Sequence, residues 1–377
     1  AKQYPKDKNL PDALYRIGEC SYLLDDLEAA EKEFTEFLKL YPNHDLEEWA
    51  YPYFGDVMLR RGKPDLAVKS FQRSLERHPK GAMHEDAQFG LASAYLRNKQ
   101  TVEAEKQFQE IAAKKNHSRA SDAQMSLATS LFDRGQFQEA ANAFLELPKK
   151  FPESPLGITA RLNAGYAFYD LNEFAKAVEQ FEIVAKNPQQ AANALYWKGV
   201  SLKGAGQFPE AIAAFEQALK SNPNPKQKEL MSYQLADALL RSGKPALAKP
   251  LFLELVKQSP ESDLADDSLH FAIEAALLTN QLAEADQLAA RFEKEYPQSG
   301  LRLHQELLKG RIRDEQGKEE DLKAALIHFQ TVLDQTELET TRLLARLYLA
   351  RTYQKLKQYE KSIAVLKPYL KDPKTDK

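Results

Sequence analysis

Apolar residues recur along the chain at spacings of three and four, the mark of amphipathic helices, and the pattern is interrupted at near-regular intervals by turn residues and prolines. One short stretch, Gln136 to Phe144, returns as Gln207 to Phe215 and again as Glu173 to Phe181. Anchored on its alanine, the pattern occurs ten times: Ala30, Ala67, Ala104, Ala140, Ala177, Ala211, Ala248, Ala285, Ala325 and Ser362. Four residues later stand Phe34, Phe71, Phe108, Phe144, Phe181, Phe215, Phe252, Ala289, Phe329 and Leu366. Eight of these ten are Phe, where chance placement predicts about 0.5, so the register is a real feature of the chain.

Twelve residues before the alanine lies a second small residue: Gly18, Gly55, Ala92, Ala128, Gly165, Gly199, Ala236 and Ala350, with Gly310 joining once three extra residues are allowed and Ile273 breaking the rule. Pro42, Pro79, Pro152, Pro223, Pro260 and Pro297 close six copies. Each copy therefore predicts two helices. The small residue of the first faces the alanine of the second, the Phe fills the space between neighbouring pairs, and the proline stops the second helix because it lacks an N–H and crowds the preceding turn. One pair cannot bury its own apolar face, whereas a stack can.

The expected fold is all-α, an α-α superhelix (solenoid) of about ten helix-turn-helix repeats. The copies divide as 11–47, 48–84, 85–120, 121–157, 158–191, 192–228, 229–265, 266–302, 303–342 and 343–377, the last with a tail. The eighth is irregular at Ile273 and Ala289 and is expected to be hinge-like; the ninth is expected to carry a longer charged turn, from Glu315 to Asp321. Tyr4 and Pro5 stand to Pro11 as Pro42 stands to Glu48, so residues 1–10 read as the remnant of a preceding repeat. With Asp372 and Pro373 following the tenth copy directly, the expectation is a segment cut or processed from a longer protein.

This pattern resembles the tetratricopeptide repeat family over nearly the whole chain. The period departs from the family's usual 34 residues: successive small residues from Gly18 to Ala236 are separated by 37, 37, 36, 37, 34 and 37. The extra residues follow the closing proline, as at Pro152, Glu153 and Ser154. Long repeats with such Pro-x-Ser connections are similar to those of bacterial cell-envelope scaffold proteins. That resemblance implies a periplasmic or envelope setting, with a cytoplasmic one as the alternative.

Composition narrows the chemistry. A net charge of −3 and a pI near 6.3 give none of the basic excess typical of nucleic-acid binders. No apolar run reaches the ~18 residues needed to span a bilayer, so this segment is not expected to insert in a membrane. Cys20 is the only cysteine; it cannot form an intrachain disulfide, has no histidine nearby to activate it, and reads as a small buried residue. None of the seven histidines makes a metal-ligand pattern; His78, His84 and Glu85 come nearest and read as a solvated turn. Gly204, Ala205 and Gly206 lie between two helices, so they form a turn and not a phosphate cradle, and Lys318 to Asp321 reads as a wet loop. No cofactor, metal or catalytic residue is expected, and the chain reads as non-enzymatic.

The resemblance implies that one stripe of the first helices lines a concave wall. On that stripe fall Tyr15, Tyr22, Phe89, Arg97, Phe132, Tyr166, Tyr169, Tyr196, Tyr233 and Arg241, with Asp56, Leu59, Ser93, Asp237, His270 and Asp314 among the residues between them. Aromatic and Arg side chains carry much of the binding energy at interfaces, although each ring has the alternative of packing between adjacent helices. Family members that grip a chaperone's C-terminal carboxylate carry Lys and Asn at the positions of Tyr15 and Glu19. No copy here has that pair, which argues for an aromatic groove taking a peptide or protein partner. The leading expectation is a protein-interaction scaffold in envelope assembly or secretion. A structural spacer or self-association module and a cell-wall glycan binder are the alternatives.

Overall fold

The computed structural model describes residues 9–370, and among them every regular element is a helix. The helices fall into two compact units, one ending at Asn187 and the other starting at Pro188. In the first, α1 (Leu10–Leu23) pairs with α2 (Leu27–Leu40), α3 (Glu47–Arg60) with α4 (Pro64–Arg77), α5 (His84–Arg97) with α6 (Thr101–Ala112), α7 (Ala120–Asp133) with α8 (Phe137–Lys150), and α9 (Gly157–Asp170) with α10 (Phe174–Val184). In the second, α11 (Ala191–Gly204) pairs with α12 (Phe208–Lys220), α13 (Pro225–Arg241) with α14 (Pro245–Gln258), α15 (Ala265–Leu278) with α16 (Leu282–Glu295), α17 (Arg302–Gln316) with α18 (Glu319–Gln335), and α19 (Glu339–Lys355) with α20 (Tyr359–Leu370). This is the all-α superhelical repeat architecture expected from the periodicity. Tyr4, Pro5, Asp372 and Pro373, on which the expectations about the ends rest, lie outside the described residues.

Each pair turns on one left-handed residue: Asp25, Gly62, Lys99, Gly135 and Asn172 in the first unit, and Gly206, Gly243, Asn280, Gly317 and Lys357 in the second. In all but the Gly317 turn, the following N–H reaches back to a carbonyl in the last turn of the first helix, as Lys63 N to Met58 O at 2.8 Å, which satisfies groups the helix end would otherwise strand. Gly206 is thus a turn residue, with φ of 75°. At the other end of a pair, α2, α4, α8, α14 and α16 each stop two residues before the closing proline, where the ring disfavours helical geometry in its predecessor.

All nine register alanines are fully buried, and the eight phenylalanines are at most 3% exposed. The packing differs from expectation in one respect. A β-carbon added at Gly18, Gly55, Gly165, Gly199 or Gly310 would first meet the Phe ring of the same pair, not the alanine. The small residue makes room for the ring, and Phe71 also lies against Gly90 of the next pair, which is how the ring joins one pair to its neighbour.

Two further expectations are corrected. Cys20 is exposed: Leu14, Tyr15 and Gly18 take the buried face of α1, and two residues past Gly18 the helix points about 200° away from it. The ninth turn is short, only Gly317 and Lys318, and Glu319 to Asp321 form the first turn of α18, where three carboxylates meet the positive end of the helix dipole. The three extra residues lengthen α18 at its start by nearly one turn, which keeps Ala325 facing inward. In the eighth pair the sizes are exchanged: Ile273 stands where a small residue is usual, Ala289 replaces Phe, and both are buried. Packing is sparsest beyond it, where a cleft of about 210 Å³ opens between α16 and α17.

Candidate functional site

Successive first helices touch one another, α1 on α3 and α3 on α5 in the first unit and α11 through α19 in the second, while second helices make no comparable contact. In the first unit α1, α3 and α5, and in the second α11, α13, α15, α17 and α19, therefore form an inner layer. The ties between them are polar and recur about one repeat apart. Tyr22 Oη donates to Asp56 Oδ2 at 2.9 Å, Lys203 Nζ to Asp237 Oδ2 at 2.6 Å, and Lys355 Nζ and Thr352 Oγ1 to Asp314 at 2.7 and 2.8 Å. Asp237 and Asp314 are almost fully buried, so these two stripe residues hold the scaffold together and are not open to a partner. His270 is likewise engaged, 3.0 Å from Gln305 Nε2. Burial, then His304 and Arg311, pushes its imidazole down to about 4.

In the first unit the inner layer encloses a pocket of about 240 Å³. Tyr22 from α1, Asp56 and Leu59 from α3, and Phe89 and Ser93 from α5 line it, all from the stripe read in the sequence. Tyr53, Asp86, Met83, Gly90 and Arg119 complete the walls, with Phe71 reaching in from α4. The Tyr22 and Tyr53 ring centroids are 5.0 Å apart, Arg60 lies 5.5 Å from the Tyr22 ring, and Arg119 lies 4.5 Å from that of Phe89. Burial, helped by the Asp56 hydrogen bond and charge, pushes the Tyr22 phenol up to about 12, so it remains a donor at neutral pH.

The remaining stripe residues are placed as follows. Tyr15 is only 2% exposed and packs on Phe34 and Phe37. Its ring is core, because it lies one turn before Gly18 and faces the same α2 side chains. Arg97 is exposed at the end of α5, and Phe132 packs edge-on to Phe137 at 5.2 Å. On α9, Tyr166 packs on Phe181 and Tyr169 on Phe174, at 5.6 and 5.8 Å. In the second unit, Tyr196 lies against Trp197 and Phe215, and Tyr233 packs on Phe252 and Phe271. Arg241 is exposed and donates to Asp237 at 2.7 Å. Only Tyr22 and Phe89 of the ten share the pocket.

The sequence reading missed Tyr53 and Asp86. In the second copy the position one turn before the small residue is Pro52, and the aromatic ring stands one place later. Asp86 precedes Phe89 by three residues, a spacing that puts both on one face of α5 and is visible in the sequence.

Among the described residues no group of three or more His, Cys, Asp and Glu side chains could hold a metal, and no helix is long and apolar enough to cross a membrane. His78 lies 3.8 Å from Glu47, and Glu85 accepts from Ser118 N at 2.7 Å, so neither turns towards the other.

Tetratricopeptide repeat profiles match residues 12–44, 54–118, 103–155 and 162–224, together just over half of the chain. No curated protein matches it. Among solved structures, YrrB, described as a TPR protein with an unusual peptide-binding site, is 19% identical, with 55% of this chain and 99% of that one covered and a TM-score of 0.43. A tetratricopeptide repeat protein from Parabacteroides merdae is 14% identical, with 80% and 99% covered and a TM-score of 0.41. PilF of Pseudomonas aeruginosa is 19% identical, with 59% and 96% covered and a TM-score of 0.42. With its helix pairs, its buried Ala and Phe register and these profile matches, the chain belongs to the tetratricopeptide repeat family, whose repeats serve as protein-interaction scaffolds.

Proposed function

We propose that the inner face of the first helices binds a peptide or protein segment, and that in the first unit the α1–α3–α5 pocket anchors it. The observation that carries this reading is the coincidence of the pocket with Tyr22, Asp56, Leu59, Phe89 and Ser93. Aromatic walls give area at low conformational cost, and the carboxylates and Ser93 give a segment polar groups to align on. Tyr166 and Tyr169 offer further rings on α9, and on the inner layer of the second unit Tyr196 and Tyr233 offer rings and Arg241 a guanidinium. The setting we attach to this role is bacterial envelope assembly or secretion, on the strength of the resemblance in its long repeats.

The test is to pan a phage-displayed random peptide library on the whole chain and measure the selected peptides by fluorescence anisotropy. Tyr22→Ala or Phe89→Ala should weaken them by about tenfold or more, as loss of an interface anchor does. Peptides that bind both variants as tightly as the parent would remove this face from consideration.

A further inference from the structure

Three rings on first helices of the first unit already carry a cation of the protein's own, and each cation has a carboxylate within reach. Arg16 lies over Tyr15 and 2.5 Å from Glu19, Arg60 over Tyr22 and 4.0 Å from Asp56, and Arg119 over Phe89 and 3.6 Å from Asp86. Tyr53 differs from these three. It stacks on Phe34 at 6.1 Å and opens into the pocket, with no cation over its ring among the described residues. Burial raises the pKa of its phenol, and Glu19 and Asp86 raise it further against the opposing charge of Arg16, as expected where the local field is negative. Asp25 and Asp122 also draw on Arg60 and Arg119, so around these rings five carboxylates share three guanidiniums.

Resting on the partner-binding reading above, we propose that the α1–α3–α5 pocket receives the basic side chain of an arginine or lysine in the partner, lodged beside Tyr53 between Asp56 and Asp86. A volume of about 240 Å³ falls below the ~300 Å³ where small-molecule pockets begin and suits one long side chain. An apolar side chain there would strip water from two carboxylates without replacing it, whereas a cation supplies donors to both and a partner for the ring faces. The aliphatic stem of the guest would lie along Leu59 and Met83, as such stems do on apolar surface.

The experiment uses the full chain and two capped peptides, one with a single arginine between two leucines and one with citrulline in its place, a neutral side chain of nearly the same shape. The arginine peptide should bind about tenfold or more tightly than the citrulline peptide, since hydrogen bonds to charged groups contribute more than neutral ones. Asp86→Asn and Tyr53→Leu, checked for parental helicity and melting, should each reduce that preference. With the unmodified protein, added salt should weaken the arginine peptide and leave the citrulline peptide little changed. Equal binding of both peptides, sensitive to Tyr22→Ala, overturns the cation assignment and leaves the groove standing. An arginine preference indifferent to Asp86→Asn and Tyr53→Leu overturns the assignment to this pocket. Binding of neither peptide, or binding unaffected by Tyr22→Ala and Phe89→Ala, overturns both readings.

Discussion

A β-carbon placed on Gly55 would lie 2.7 Å from the ring of Phe71, nearer than such atoms come in folded proteins. Gly90 of the next pair lies against the same ring, where a β-carbon would stand 2.4 Å away, so the ring has little room to shift. Gly55→Ala gains about 1 kcal/mol of helix propensity but overpacks a fixed ring at a cost of ~1–3 kcal/mol, so the net effect is a loss. At Gly18 the corresponding approach to Phe34 is 3.1 Å, a strain that a small ring shift relieves. Thermal melts should therefore show Gly55→Ala lowered and Gly18→Ala unchanged or raised. The opposite order would mean that the glycines serve some need other than room for the ring.

The turns within pairs allow a second comparison. Lys99, with φ of 63°, occupies the left-handed site that Gly135 fills in the next pair with φ of 75°. A side chain there crowds the following carbonyl, at about 1 kcal/mol or a little more. Lys99→Gly should stabilise the protein by about 0.5–1 kcal/mol despite the added freedom of the unfolded chain, and Gly135→Ala should destabilise it by about 1 kcal/mol. Urea midpoints for the two variants test the pair of signs together.

The repeat was legible in the sequence because its contact is made by residue types with few substitutes: nothing larger than alanine fits under the Phe, and little but Phe fills the gap. Side chains that only choose a side of a helix were less legible. Cys20 and Tyr15 lie two and three residues from Gly18, and that angular difference decides which of them is buried. The pocket was half legible. Its residues at the repeating register were identified, whereas Tyr53 and Asp86 owe their place to Pro52 displacing the ring by one position and to the junction of three helices, neither of which a single copy of the pattern describes.

Acid should weaken the second unit through His270. Burial first, then His304 and Arg311, holds its imidazole near 4 in the folded state, against 6.5 when unfolded. The unfolded chain thus binds more protons between those values. The contribution of the neutral ring is complete above the unfolded value and is lost as pH falls from 6.5 towards 4, by about 2 kcal/mol on going from about pH 8 to about pH 5. Urea titrations at the two pH values should show this loss in the parent and a smaller one in His270→Gln. An equal loss in both would assign the acid sensitivity to other groups.

The eighth pair offers a test of the packing rule by its own exception. Ile273 and Ala289 reverse the usual sizes, and each is buried, so the volume missing at the Phe position is supplied from the first helix. Ile273→Ala alone should leave a cavity and cost about 2–5 kcal/mol. Ala289→Phe alone should force a ring against the isoleucine and cost ~1–3 kcal/mol or more. Together they rebuild the arrangement of the third pair, where Ala92 precedes Phe108. The double variant should therefore be more stable than the sum of the single losses predicts, by at least about 1 kcal/mol, the signature of side chains that share one space. Strict additivity in urea titrations would show that the two positions do not meet, and the size reversal would then have no packing explanation.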